Sequence, residues 1–80
     1  MDERIVKIKI LKSEKGYKNT EIADALDVHF NTISNALMSK SKPYMVGKIL
    51  QFLTVATPSY KMTESEKQKY IQDYCENIKN

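Results

Sequence analysis

The chain has 80 residues, 41% of them hydrophobic and 29% charged, and a net charge of +3. That length suits one small domain and leaves no room for a catalytic domain beside a binding one. The composition is that of an ordinary globular chain, neither a disordered polar segment nor a fibre.

A single cysteine, Cys75, excludes an intramolecular disulfide framework and fits a reducing compartment. With one histidine as well, a zinc cluster is out of reach, and neither a metal nor a cofactor is expected. The uncharged stretches 28–39 and 49–60 fall far short of the roughly 20 apolar residues that cross a bilayer. Met1-Asp2-Glu3-Arg4 leads into closely spaced lysines, not into the apolar run of a signal peptide. A cytoplasmic protein is expected.

Charge is unevenly distributed. Residues 28–62 hold Lys40, Lys42, Lys48 and Lys61, while every Asp and Glu lies outside them. A positive field with no local cancellation suits a phosphate backbone or another polyanion. Charge alone does not separate that reading from an ordinary solvated surface.

Segment 2–15 places Ile5, Ile8 and Leu11 on one face at helical spacing, with Val6 and Ile10 widening it, and Gly16 sits where a helix ends. Asn19 or Thr20 is a candidate cap for a second helix over about 20–26, with Glu21 in its first turn. A third helix spans about 30–39, with Ile33, Ala36 and Leu37 on one face and Asn31, Ser34, Asn35 and Met38 on the other. Pro43 suits the first position of a fourth helix, whose Met45, Val46, Ile49, Leu50, Phe52 and Leu53 make it apolar around much of its circumference. Thr57-Pro58 signals a short turn or helix near 57–61. Thr63-Glu64-Ser65-Glu66 is a capping box. It opens a last helix over about 64–78, with Tyr70, Ile71, Tyr74, Cys75 and Ile78 along one stripe. The expectation is a single all-α domain of four to five helices.

The two short helices around Asp27 carry most of the information. Helices that cross sharply after a short turn need a small residue at closest approach, apolar residues that lock them, and a turn residue tolerant of a left-handed backbone. Ala23, then Ile22, Leu26, Val28, Ile33 and Leu37, then Asp27 meet those needs. At Gly16–Leu37 the sequence resembles the helix-turn-helix of the lambda-repressor-like, or Cro/repressor, family of bacterial and phage DNA-binding proteins. Ile8–Lys12 resembles that family's first helix and Lys40–Leu53 its fourth, so the resemblance spans residues 5–53. The family usually has Gly where this chain has Asp27, and residues 54–80 do not resemble its usual fifth helix.

The resemblance implies a compact lambda-repressor-like fold, with a helix-turn-helix DNA-binding domain over 1–62 and a C-terminal helix over 63–80 serving as core cover or dimerisation surface. It further implies sequence-specific binding of double-stranded DNA by a small transcriptional regulator, a repressor of the kind carried by phages and other mobile elements. The third helix would lie in the major groove with Phe30, Asn31, Ser34 and Asn35 reading bases. Asparagine suits adenine, whose N7 and N6 it meets in one plane, and Phe30 suits a thymine methyl. Phosphate contacts fall to Asn19, Thr20, Thr32, Lys40 and Lys42, with Lys18 and Lys48 as further candidates. Such domains bind as two-fold dimers, and Tyr70, Ile71, Tyr74 and Ile78 are the candidate homodimer interface, or else core cover.

Each residue also has a plainer role. On an arbitrary helix Asn31, Ser34 and Asn35 are simply the wet face, but this face carries neither Glu nor Lys, which usually populate such surfaces. His29 suits the N-cap region or a phosphate contact better than general-base work, having no titratable partner nearby in sequence. Phe30 also suits the core edge, and Cys75 a buried apolar role. The sequence has no Gly-rich phosphate loop and no nucleophile–histidine motif, so no enzyme is expected. Two alternatives remain: a helix-turn-helix used on a protein, as an antirepressor or inhibitor of a host regulatory protein, and an architectural binder that bends DNA with little base readout.

Overall fold

A computed structural model describes residues 3–38 and 43–79. The described chain is all-α: α1 (Glu3–Lys15), α2 (Asn19–Leu26), α3 (Phe30–Met38), α4 (Pro43–Val55), a 3-10 turn (Ser59–Lys61) and α5 (Glu64–Lys79). Every predicted helix is present, to within a residue or two at its ends.

Only Ile8 of α1 is buried, with Ile5 and Leu11 packed partly behind it. The predicted widening of that face is corrected: Val6 is 41% and Ile10 50% exposed, because α4 covers only one side of α1. Gly16 ends α1 with φ +74°, its N–H donating to the Lys12 carbonyl at 2.8 Å. This is the left-handed position that glycine fills without strain. The resulting reversal sets the last turn of α1 beside the first turn of α2.

The start of α2 also differs from expectation. Lys18, in extended backbone, precedes the helix, and its N–H donates to the Glu21 carboxylate at 2.8 Å. Asn19 is therefore the first helical residue instead of its cap, which frees its side chain for contacts elsewhere. At the far end Asp27 takes the left-handed conformation (φ 58°, ψ 47°), and the Val28 N–H reaches back to the Ala23 carbonyl at 3.0 Å. Those bonds satisfy carbonyls that the end of α2 would otherwise leave unpaired.

Ile22, Ala23, Ala25 and Leu26 of α2, Ile33 and Ala36 of α3, and Val46, Ile49, Phe52 and Leu53 of α4 make one core. Phe52 is fully buried between two tyrosine edges, Tyr17 at 5.4 Å and Tyr74 at 4.8 Å between ring centroids. Lys15 closes the C-terminal end of α4, its ammonium donating to the carbonyls of Leu53 at 2.6 Å, Thr54 at 3.1 Å and Ala56 at 2.7 Å. A cation there also complements the helix dipole.

α5 packs on α2. Its predicted capping box forms in both halves: Thr63 N–H donates to Glu66 at 2.8 Å and Glu66 N–H to Thr63 Oγ1 at 3.2 Å. These bonds to the charged form hold the Glu66 carboxyl below its ordinary range. Ile71 and Cys75 of α5 are buried, as a small apolar reading of the cysteine requires.

Candidate functional site: the exposed face of α3

Three residues, Asp27 to His29, separate α2 from α3. His29 caps α3: the Asn31 N–H donates to its Nδ1 at 3.1 Å. An accepting Nδ1 is unprotonated, so the ring proton is on Nε2. The His29 and Phe30 rings stack at 4.7 Å with a 30° tilt, which holds Phe30 outward and 47% exposed. Phe30 is therefore a surface residue and no part of the core edge.

With Ile33 and Ala36 pinned in the core, helical geometry turns Phe30, Asn31 and Asn35 to the surface, with Ser34 half-buried among them. The four residues expected to read bases thus share one face. It presents two amides and a hydroxyl, a set that both donates and accepts without carrying charge. Thr32 lies beside the face, its N–H donating to the His29 carbonyl at 2.9 Å.

The expected phosphate contacts divide. Asn19 and Thr20 lie in the first turn of α2, with Thr20 exposed and Asn19 half-buried. Asn19 Nδ2 donates to Ser34 Oγ at 3.3 Å, so the N-terminus of α2 and the outer face of α3 form one continuous surface. Lys18 is exposed beside them. Lys48 instead lies with its ammonium 5.1 Å from the centroid of the Tyr44 ring on its own helix. Lys40 and Lys42 lie outside the described residues.

Sequence reasoning missed Lys12. Its ammonium donates to Asn19 Oδ1, which brings an α1 cation to the junction of α2 and α3. Burial, then the neighbouring Lys9 charge, holds the Lys12 ammonium below its ordinary pKa. The available signal was Gly16, whose reversal sets Lys12 against the residues that open α2.

The C-terminal stripe is largely spent within the molecule. Ile71 is 3% exposed, Tyr74 packs edge-on against Phe52, and Tyr70 donates its hydroxyl to the Val55 carbonyl at 3.3 Å. Of the four residues proposed for dimerisation, three serve as core cover, and Ile78, at 40% exposure, is the most exposed.

Among the described residues, no cluster of three or more His, Cys, Asp or Glu side chains is placed to hold a metal ion, and no helix is long and apolar enough to cross a membrane. No family model, no curated protein and no solved structure matches the chain.

Proposed function

We propose that this chain is a small sequence-specific binder of double-stranded DNA, a Cro- or repressor-like transcriptional regulator acting in the cytoplasm, with α3 as the helix that enters the major groove. The observation that carries this reading is the uncharged hydrogen-bonding face of Asn31, Ser34 and Asn35, joined through Asn19 to the N-terminus of α2. A solvated helix surface ordinarily carries Glu and Lys. A face that must exchange hydrogen bonds with base edges does better without fixed charge.

The first turn of α2 offers a positive dipole end to a phosphate. Exposed Thr20 and Lys18 flank it. Contacts of that kind fix register and give salt dependence, while the α3 side chains read sequence. The resemblance of residues 5–53 to the lambda-repressor-like family supports the same assignment of roles. A two-fold dimer would set its α3 helices about 34 Å apart on the duplex, with Ile78 the member of the C-terminal stripe still available to such a contact.

Selection from a pool of random duplexes at two salt concentrations tests this. The wild type is expected to enrich one motif, and Asn31→Ala/Asn35→Ala to lose the motif while keeping weak, salt-sensitive binding. Absence of enrichment would overturn the reading.

One observation favours a second reading. Phe30 is 47% and Met38 80% exposed, both on α3. Large exposed apolar side chains on one helix suit a protein partner, as in an antirepressor or an inhibitor of a host regulatory protein. Capture of a protein by wild type, lost in Phe30→Ala/Met38→Ala and unaffected by duplex DNA, would favour it.

A further inference from the structure

Ser34 and Asn19 are linked, and the direction of that link is chemically determined. Lys12 Nζ donates to the Asn19 side-chain oxygen. An ammonium has three donors and no acceptor. The amide of Asn19 must therefore turn its oxygen toward Lys12 and its NH2 toward α3, where it donates to Ser34 Oγ at 3.3 Å.

Ser34 is thus an acceptor within the triad, and the bond from Asn19 does not consume its hydroxyl proton. If the amide were reversed, Ser34 would spend that proton on Asn19 Oδ1 and offer only lone pairs outward. A cation on α1 sets which of these two states the α3 face displays.

We infer that Lys12 is a positioning residue for sequence readout: acting through Asn19, it keeps the Ser34 hydroxyl proton free to be donated to the base it faces. This rests on the proposed DNA-binding reading and deepens it by giving Ser34 a defined preference. In the major groove guanine, adenine and thymine each offer an acceptor, whereas cytosine offers only its N4 amino donor. A Ser34 that keeps its proton can serve those three acceptors, whereas one that has spent it on Asn19 can only accept, as from cytosine N4, so Lys12 weights the position away from cytosine without touching the base.

Two measurements on the full chain test this. In the free protein, the side-chain 1H–15N signals of Asn19 are expected to shift in Lys12→Met and in Ser34→Ala. They should return toward wild type in Lys12→Arg, because a guanidinium also only donates. In duplex selection, Lys12→Met is expected to raise the share of cytosine at one position about 5-fold relative to wild type and Lys12→Arg, the weight of a single hydrogen bond. In a Ser34→Ala background Lys12→Met should change that share no further.

Uniform weakening by Lys12→Met across all sequences, with the share of cytosine unchanged, would overturn the inference. So would Asn19 signals that ignore Lys12 while the protein still selects a motif, an outcome that leaves the DNA-binding reading intact. Signals that respond to Lys12 in a wild type with no base preference would overturn both.

Discussion

The Lys67 ammonium lies 2.6 Å from the Glu21 carboxylate, with the two side chains only 7% and 14% exposed. Lys67 also donates to the Gly16 carbonyl at 3.2 Å and sits 5.0 Å from the centroid of the Tyr17 ring. One cation from α5 thereby ties together the end of α1, the start of α2 and an aromatic of the core. Glu21 in turn accepts the Lys18 N–H. The C-terminal helix thus braces the end of α2 that the proposed function turns toward a phosphate.

Removing Lys67 leaves a nearly buried carboxylate and a carbonyl without their partner. Breaking a buried pair in this way costs about 3–5 kcal/mol, against roughly 4–12 kcal/mol for a whole domain of this size. Lys67→Met is expected to lower the midpoint of denaturant unfolding severely. Glu21→Gln, which keeps a hydrogen-bonding group in place, should cost less than half as much. Equal, severe losses in the two variants would show that the paired charges themselves, and not a hydrogen bond that Gln can replace, hold α5.

Tyr17 gives a signature at high pH. Burial, then the nearby Tyr70 and Glu21, pushes its phenol up to about 12, and its hydroxyl donates to the Thr57 carbonyl at 2.6 Å. A raised folded-state value means stability that is present below the ordinary value near 10 and lost as pH rises toward 12. Burial raises Tyr74 too. Stability should therefore fall between pH 10 and 12. Tyr17→Phe should cost about 1 kcal/mol at neutral pH for the lost hydrogen bond and reduce the alkaline fall. Unfolding curves taken across that range check both.

The turn between α2 and α3 rests on Asp27 at φ 58°. For a residue with a Cβ the left-handed conformation costs about 1–2 kcal/mol, least for Asp and Asn. Asp27→Gly is expected to keep or raise the thermal midpoint, and Asp27→Val to lower stability by about 1–2 kcal/mol because a β-branched side chain fits that conformation poorly.

His29 joins stability to the site. Its Nδ1 accepts the Asn31 N–H, so His29→Ala removes the cap of α3 at a cost of about 1 kcal/mol. Amide exchange should quicken at Phe30, Asn31 and Thr32, the residues at the start of the proposed reading helix.

The helices were legible because their signals are local. Pro43 starting α4, Gly16 ending α1 and the Thr63–Glu66 box each act through their own backbone neighbours. The shared face of Phe30, Asn31, Ser34 and Asn35 was legible for the same reason, since helical periodicity alone fixes it once Ile33 and Ala36 are inside. Contacts between lysines and distant backbone were not legible. Lys12, Lys15 and Lys67 look like solvated surface charge in sequence, and the structure gives each a specific internal partner. Lys67 did leave one sign: it falls on the α5 stripe with Ile71 and Tyr74, one helical turn before Ile71. Tyr70, Ile71 and Tyr74 showed an apolar stripe but not what covers it. That depends on how α5 folds back onto α2, which periodicity does not encode.

Mapping backbone amide shifts of the full chain on titration with a short mixed-sequence duplex at low salt tests most directly whether α3 and the start of α2 meet DNA. The largest changes are expected at Asn19, Thr20, Phe30, Asn31, Ser34 and Asn35, fading as salt is raised. Absence of change at those residues, or changes centred instead on the groove of Ile10, Leu11, Leu50 and Thr54 between α1 and α4, would contradict the proposed function.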